Sequence, residues 1–280
     1  KCAFCGYRDM KRKKRVCEKK LMFDVLAQAF KNGTREVGFY LIGEPFMCKD
    51  LVEYIICAKD LGYEYIYLTT NGVLAMLDRC VDLITAGLNS IKFSVNAATR
   101  ETYLSVHGRD DFNTVVQNIT ALKKYKVAHG IELPMFISFV RNELNKDDIP
   151  QLYEKFGALV DEIYIYPCLN QGGRMHTLID SGIIKKKDFF PGSTAPCEIC
   201  FNTLHITCEG YLNACCADVD GYLSAVDLYE CSLYDAWNSE VMMRLRRRHL
   251  QNELKGLLCY NCVNNTEEPF FPLNEKLMSE

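Results

Sequence analysis

The chain has 280 residues, 33 basic and 36 acidic, with a formal net charge of −3; 49% of its residues are hydrophobic and 25% charged. This is ordinary globular usage, which excludes a disordered chain or a coiled coil, and the charge balance supplies no field for nucleic acid or an anionic membrane. No run approaches the ~20 apolar residues of a membrane span. Fifteen cysteines, several in C-x2-C pairs, point to thiolate ligation of metal in a reducing compartment, the cytoplasm, rather than to a disulfide framework. The first residue is lysine, so the sequence reads as a segment whose upstream part, with any targeting signal, is out of view.

Cys2-Ala-Phe-Cys5 opens the chain. Hydrophobic periodicity then predicts a helix over 21–32, a strand over 36–42, a helix over 50–61, a strand over 65–69 and a helix over 74–86. Further strands follow over 90–95, 133–140 and 162–166, separated by helices over 111–126, capped by Asp110 or Asp111, and over 147–159. Repeated strand–helix–strand units of this length argue for a parallel sheet with helices outside it. Beyond Pro167 the pattern changes. Residues 168–196 are glycine-containing and aperiodic, reading as a linker or capping loop, while residues 197–262 hold eight of the fifteen cysteines around one helix near 233–254.

Polar clusters recur just past successive strands: Gly43-Glu44-Pro45, Thr69-Thr70-Asn71-Gly72 and Ser94-Val95-Asn96. Carboxyl ends of parallel strands are where ligand-binding residues gather. Each cluster alone would pass for an ordinary turn or cap. Together with Phe4-Cys5 and Cys2, they resemble the radical S-adenosylmethionine (SAM) superfamily. Its motif is C-x3-C-x2-C with an aromatic before the last cysteine, and the first cysteine would fall four positions before Cys2, outside this sequence.

The resemblance implies a partial (β/α)6 TIM-like barrel, its sixth strand expected upstream of Lys1. It also implies a SAM-binding 4Fe–4S cluster, because three thiolates hold three irons and leave the fourth open. Cys2 and Cys5 would be two of those ligands. Glu44 would receive the SAM ammonium, Thr70 and Ser94 its carboxylate or ribose with Asn96 assisting, and Tyr166 would flank the adenine.

Cys200, nine residues, Gly210, four residues and Cys215, with a distal Cys259-Tyr-Asn-Cys262, resemble the SPASM/twitch extension of that superfamily. No cysteine follows Cys262, which favours the shorter twitch type: one auxiliary 4Fe–4S cluster on Cys200, Cys215, Cys259 and Cys262. Cys216 and Cys197 are alternates, and a four-cysteine zinc site is the competing reading of the same donors. The implied division is a core over 1–167, a linker over 168–196 and an auxiliary-cluster domain over 197–280.

By resemblance the chain is a radical SAM oxidoreductase. The favoured substrate is a small hydroxylated molecule, since the cluster content is similar to that of aminocyclitol dehydrogenases. A peptide-modifying maturase is the alternative, and a non-enzymatic zinc module the remote one. Flavodoxin or ferredoxin would supply electrons. Arg141 and Arg174 are weak candidates for substrate contact or proton transfer. The basic run 244–249 reads as a solvated helix face, and His107 as structural.

Overall fold

The computed structural model describes residues 2–13, 15–173, 175–186 and 194–278. In chain order its elements begin with α1 (Lys19–Lys31), β1 (Glu36–Phe39), α2 (Leu51–Leu61), β2 (Tyr65–Thr70), α3 (Leu77–Ala86) and β3 (Ser90–Ser94). They continue with α4 (Arg100–His107), α5 (Phe112–Ala128), β4 (Met135–Arg141), α6 (Ile149–Phe156), β5 (Glu162–Pro167) and α7 (Met175–Asp180). The last are α8 (Ile199–Asn202), β6 (His205–Ile206), β7 (Tyr211–Asn213), β8 (Ser224–Asp227), α9 (Leu233–Trp237), α10 (Glu240–Gln251) and α11 (Leu258–Asn264). The chain divides into two compact units, residues 1–5 with 33–168 and residues 6–32 with 169–280.

In the first unit β1 to β5 form one sheet in sequence order, every neighbouring pair parallel. This is the α/β, partial TIM-like barrel arrangement expected. Strand alternation explains which residues point where. Ile66 and Leu68, Ile91 and Phe93, and Met135, Ile137 and Phe139 share one face and are fully buried. The helices match that face with Ile55, Ala58, Leu83, Val115, Ile119, Leu122, Leu152 and Phe156. Each large side chain so buried stabilises the unit by about 1.5–3 kcal/mol. The opposite face carries Tyr65, Tyr67, Lys92, Ser94, Phe136, Ser138 and Tyr164, and its polar ends reach the strand termini.

The predicted helix over 74–86 starts three residues late, because Met76 is still extended. The helix expected over 233–254 is two helices. Ser239 breaks it by leaving the helical region and accepting the Met242 N–H at 3.3 Å, an N-cap that starts α10 afresh.

The second unit is built on the antiparallel sheet β6-β7-β8. Its core gathers Leu212, Ala225, Leu233, Met242, Leu245, Leu254 and Leu258. Helix α1 belongs here. Leu21, Val25 and Ala29 recur at a spacing of four, one helical stripe, and lie in that same core. Gln28 Oε1 accepts the Leu233 N–H at 2.7 Å, fixing α1 to the start of α9.

Gly210, picked out in the cysteine-rich region by its spacing, has φ +98 in the turn between β6 and β7, and a Cβ there would meet Tyr229 and Leu21. Only glycine takes that conformation without strain.

Candidate functional site

Glu44 ends the first strand–loop segment as the N-cap of a 3-10 turn over Pro45–Met47. Its Oε1 accepts from the Thr70 hydroxyl at 2.7 Å and from the Phe46 N–H at 3.2 Å, and its Oε2 from the Asn71 N–H at 2.8 Å. The carboxylate is therefore clamped by the very turn, Thr70-Asn71-Gly72, that ends β2. The Thr70 hydroxyl also accepts the Gly72 N–H at 3.0 Å, and Asn118 of α5 holds the Gly72 carbonyl at 2.8 Å. An anionic group so fixed at strand ends is a preorganised receptor for an ammonium.

Register pairs Ser94 with Ser138, and their hydroxyls stand 3.2 Å apart. Ser138 carried no signal of its own in the sequence; only strand pairing reveals it. Asn96 is buried with φ 54. Its Oδ1 accepts the Val140 N–H at 2.7 Å and its carbonyl accepts from Asn145 at 2.9 Å. These bonds commit its side-chain oxygen to tying β3 to the end of β4. Tyr166 is 42% exposed and stacks on Tyr164 with centroids 6.2 Å apart. Arg141 is exposed at the end of β4, and Arg174 lies outside the described residues.

The Cys2–Cys5 segment is a tight turn, Cys5 N–H donating to the Cys2 carbonyl at 3.1 Å, pinned to α4 by Ala3 N–H to Val106 O at 2.7 Å. Burial, and next the neighbouring Cys5, push the Cys2 thiol up. Two thiols that feel each other across a C-x2-C turn suit shared metal ligation.

His107, read from the sequence as structural, touches Cys2. Its Nε2 lies 2.7 Å from the Val95 carbonyl and its Nδ1 3.2 Å from Cys2 Sγ. Burial lowers its pKa to about 4. The neutral ring thus donates from Nε2, and Nδ1 accepts from the thiol. Nothing in the local sequence marks this contact, because Cys2 and His107 are 105 residues apart.

In the second unit Cys197, Cys200, Cys215, Cys259 and Cys262 share one electrostatic neighbourhood, with Cys216 beside Cys215. Burial first, and then Cys262, Cys197 and Cys200, push the Cys259 thiol far up, while Cys200 rises to about 11 through burial and then Cys197. The Ala217 N–H donates to Cys215 Sγ at 3.3 Å, but a hydrogen bond with Cys216, and next burial, push the Cys215 thiol up. Cys215 and Cys216 lie past the end of β7, in a turn, so strand alternation does not send them to opposite faces. Cys215, and next His205, hydrogen-bond Cys216 and hold its thiol well below the usual range. Among the described residues no three His, Cys, Asp or Glu side chains converge as a finished metal site. The fit to a thiolate-ligated centre is one of donor chemistry and neighbourhood.

Asn170 is fully buried and braces this region. Its Nδ2 donates to the carbonyls of Asn261 and Cys262 at 2.9 and 3.2 Å and to Asn265 Oδ1 at 2.8 Å. Gly173, with φ +104, lies so close that a Cβ would stand 3.0 Å from Asn261. Removing a buried partner strands the groups it satisfied. Asn170→Ala is therefore expected to destabilise the second unit by about 2 kcal/mol, read as a lower urea midpoint at unchanged slope.

Comparison with known proteins decides the family. A family model described as the radical SAM superfamily matches residues 1–156. The chain belongs to the radical SAM superfamily. A second model, described as an iron-sulfur cluster-binding domain (SPASM), matches residues 197–263 of this radical SAM protein. The family's cofactors are SAM and 4Fe–4S clusters, and the enzyme reading holds at that level.

A probable GTP 3′,8-cyclase of Saccharolobus islandicus is 36% identical over 124 residues, 44% of this chain and 38% of the cyclase. The matched part thus spans under two-fifths of that relative. The structure of BtrN in complex with AdoMet and 2-DOIA superposes with a TM-score of 0.59 at 17% identity, covering 96% of this radical SAM chain and 91% of BtrN. Streptococcus suis SuiB bound to precursor peptide SuiA gives 0.67 at 15% identity, covering 88% and 63%. These likenesses establish the fold. Among the described residues no helix is long and apolar enough to cross a membrane.

Proposed function

We propose that the chain is a cytoplasmic radical SAM oxidoreductase that acts on a small hydroxylated substrate and carries a single auxiliary 4Fe–4S cluster, with flavodoxin or ferredoxin as reductant. The observation that carries the SAM reading is the Glu44 carboxylate, fixed by Thr70, Asn71 and Phe46 at the strand ends. Cys2 and Cys5 would hold the first cluster with a third thiolate from upstream, and Cys200, Cys215, Cys259 and Cys262 the auxiliary one. When bound, SAM and its cluster supply a 5′-deoxyadenosyl radical for hydrogen abstraction, and the auxiliary cluster an electron-accepting site.

The chain's own residues supply binding and positioning. Glu44 receives the SAM ammonium, and Thr70 keeps that carboxylate in place. Ser94 with Ser138 offers paired hydroxyls to the carboxylate or ribose, Asn96 holds the β3–β4 ends in register, and Tyr166 flanks the adenine. One step down β3 from Ser94, Lys92 is half-buried, with its Nζ 5.3 Å from the centroid of the Tyr164 ring. No carboxylate pairs with it among the described residues. An ammonium among the tyrosines of this face is a donor for a substrate's oxygen atoms.

The GTP 3′,8-cyclase match covers 44% of this chain and 38% of the cyclase, so it does not carry that enzyme's reaction over to this chain. The test is anaerobic turnover of SAM to 5′-deoxyadenosine with aminocyclitols, sugars and short peptides in turn. Stimulation by a hydroxylated small molecule, with a two-electron-oxidised product, is the expected result. Stimulation by peptides alone would replace this reading with a maturase.

A further inference from the structure

The basic run 244–249 does not form a uniformly solvated helix face. Within α10, Arg246 is only 8% exposed, pointing inward with Met242, Leu245 and His249. Its Nε donates to the Cys200 carbonyl at 2.8 Å and its Nη1 to the Trp237 carbonyl at 2.8 Å. The guanidinium carbon lies 3.9 Å from the centroid of the Trp237 ring. The third nitrogen, Nη2, is buried and has no hydrogen-bond partner among the described residues. No carboxylate pairs with Arg246 there either.

A buried guanidinium without an anion is costly and is not kept by packing alone. Two of its nitrogens fix its orientation, on Trp237 and on the backbone of a cysteine. Among the described residues the remaining Nη2 donor has no acceptor, and the positive charge meets the face of Trp237 but no carboxylate. The groups in that neighbourhood able to become anions are sulfurs: the Cys200 thiol interacts with the Arg246 charge and shares its surroundings with Cys197 and Cys259, and such thiols lose their protons when they ligate metal.

We propose that Arg246 is the built-in counter-charge of the auxiliary thiolate centre, its free Nη2–H and its charge reserved for that centre's sulfur, so that it raises the reduction potential of the cluster bound there. The sign follows from charge. Each electron added makes a four-thiolate cluster more negative, and a fixed cation nearby stabilises the more negative state most. Arg246 is a positioning and tuning residue and touches no substrate. The inference rests on reading the Cys200-centred site as iron–sulfur, and the experiment separates the two.

The full-length holoprotein, Arg246→Gln and Arg246→Lys would be reconstituted anaerobically. Iron and zinc would be counted, and the auxiliary cluster titrated by electron paramagnetic resonance in a Cys2→Ala/Cys5→Ala background. Arg246→Gln is expected to shift the one-electron equilibrium at least tenfold toward the oxidised cluster, which is 59 mV lower in midpoint. Arg246→Lys, which keeps the charge but not the planar fork, should recover at least half of that shift. If the glutamine variant loses the cluster and the lysine variant keeps it, the counter-charge role is likewise upheld. An unchanged midpoint in Arg246→Gln, or equal loss of the cluster in both variants, overturns it. Zinc in place of iron in the parent protein overturns the iron–sulfur reading itself and this inference with it.

Discussion

Glu44→Gln is expected to lower SAM affinity and reductive cleavage together, by about 10- to 100-fold. The estimate comes from the ~1.5–3 kcal/mol carried by a hydrogen bond to a charged group. Glu44 now uses both oxygens as acceptors, one for Thr70 and Phe46, the other for Asn71. An amide turns one of those positions into a donor facing a donor, and it removes the charge an ammonium would pair with. Thr70→Val should act in the same direction and more weakly, since it removes one of three bonds and leaves the carboxylate group in place. Calorimetric SAM titration and 5′-deoxyadenosine release under dithionite measure the two quantities. Unaltered SAM binding in Glu44→Gln would remove this carboxylate from the site.

The second large effect concerns metal content. The full-length protein purified without oxygen is expected to hold about eight irons per chain, two four-iron clusters. Cys259→Ser with Cys262→Ser should bring that to about four while 5′-deoxyadenosine formation persists, because the donors at Cys2 and Cys5 are untouched. About four irons and one zinc in the unaltered protein would keep the SAM chemistry but remove the proposed electron acceptor. Loss of all iron in the double variant would mean that the two sites do not assemble independently.

Much of the first unit was legible because its signals are local. Ile66, Leu68, Ile91 and Phe93 alternate as buried-strand residues must, and Glu44, Thr70 and Ser94 sit at strand ends where turn chemistry marks them. The contacts that matter beyond these are pairings across the chain. His107 reaches Cys2, Ser138 faces Ser94 only through strand register, and Asn170 braces the carbonyl of Cys262. None has a spacing rule. Arg246 is hidden for a related reason: a run of arginines looks solvated until helical phase turns one of them inward beside Leu245 and Met242. The break at Ser239 was visible in principle, since serine followed by glutamate is a good helix start, but the apolar periodicity runs across it.

The placement of α1 has a consequence for how such a protein can be taken apart or inherited. The backbone passes between the two units three times, after residues 5, 32 and 168. No single cut therefore releases either unit intact. Cleavage after residue 168 would leave Leu21, Val25 and Ala29 as an apolar stripe stripped of its cover, on a helix joined by a short segment to the Cys2–Cys5 loop. A gene fragment or recombination event that exchanged only the cysteine-rich carboxyl-terminal half would import a core with one wall missing. The two halves must be matched to each other through α1, and that helix is the place to look when a chimera of this architecture fails to fold.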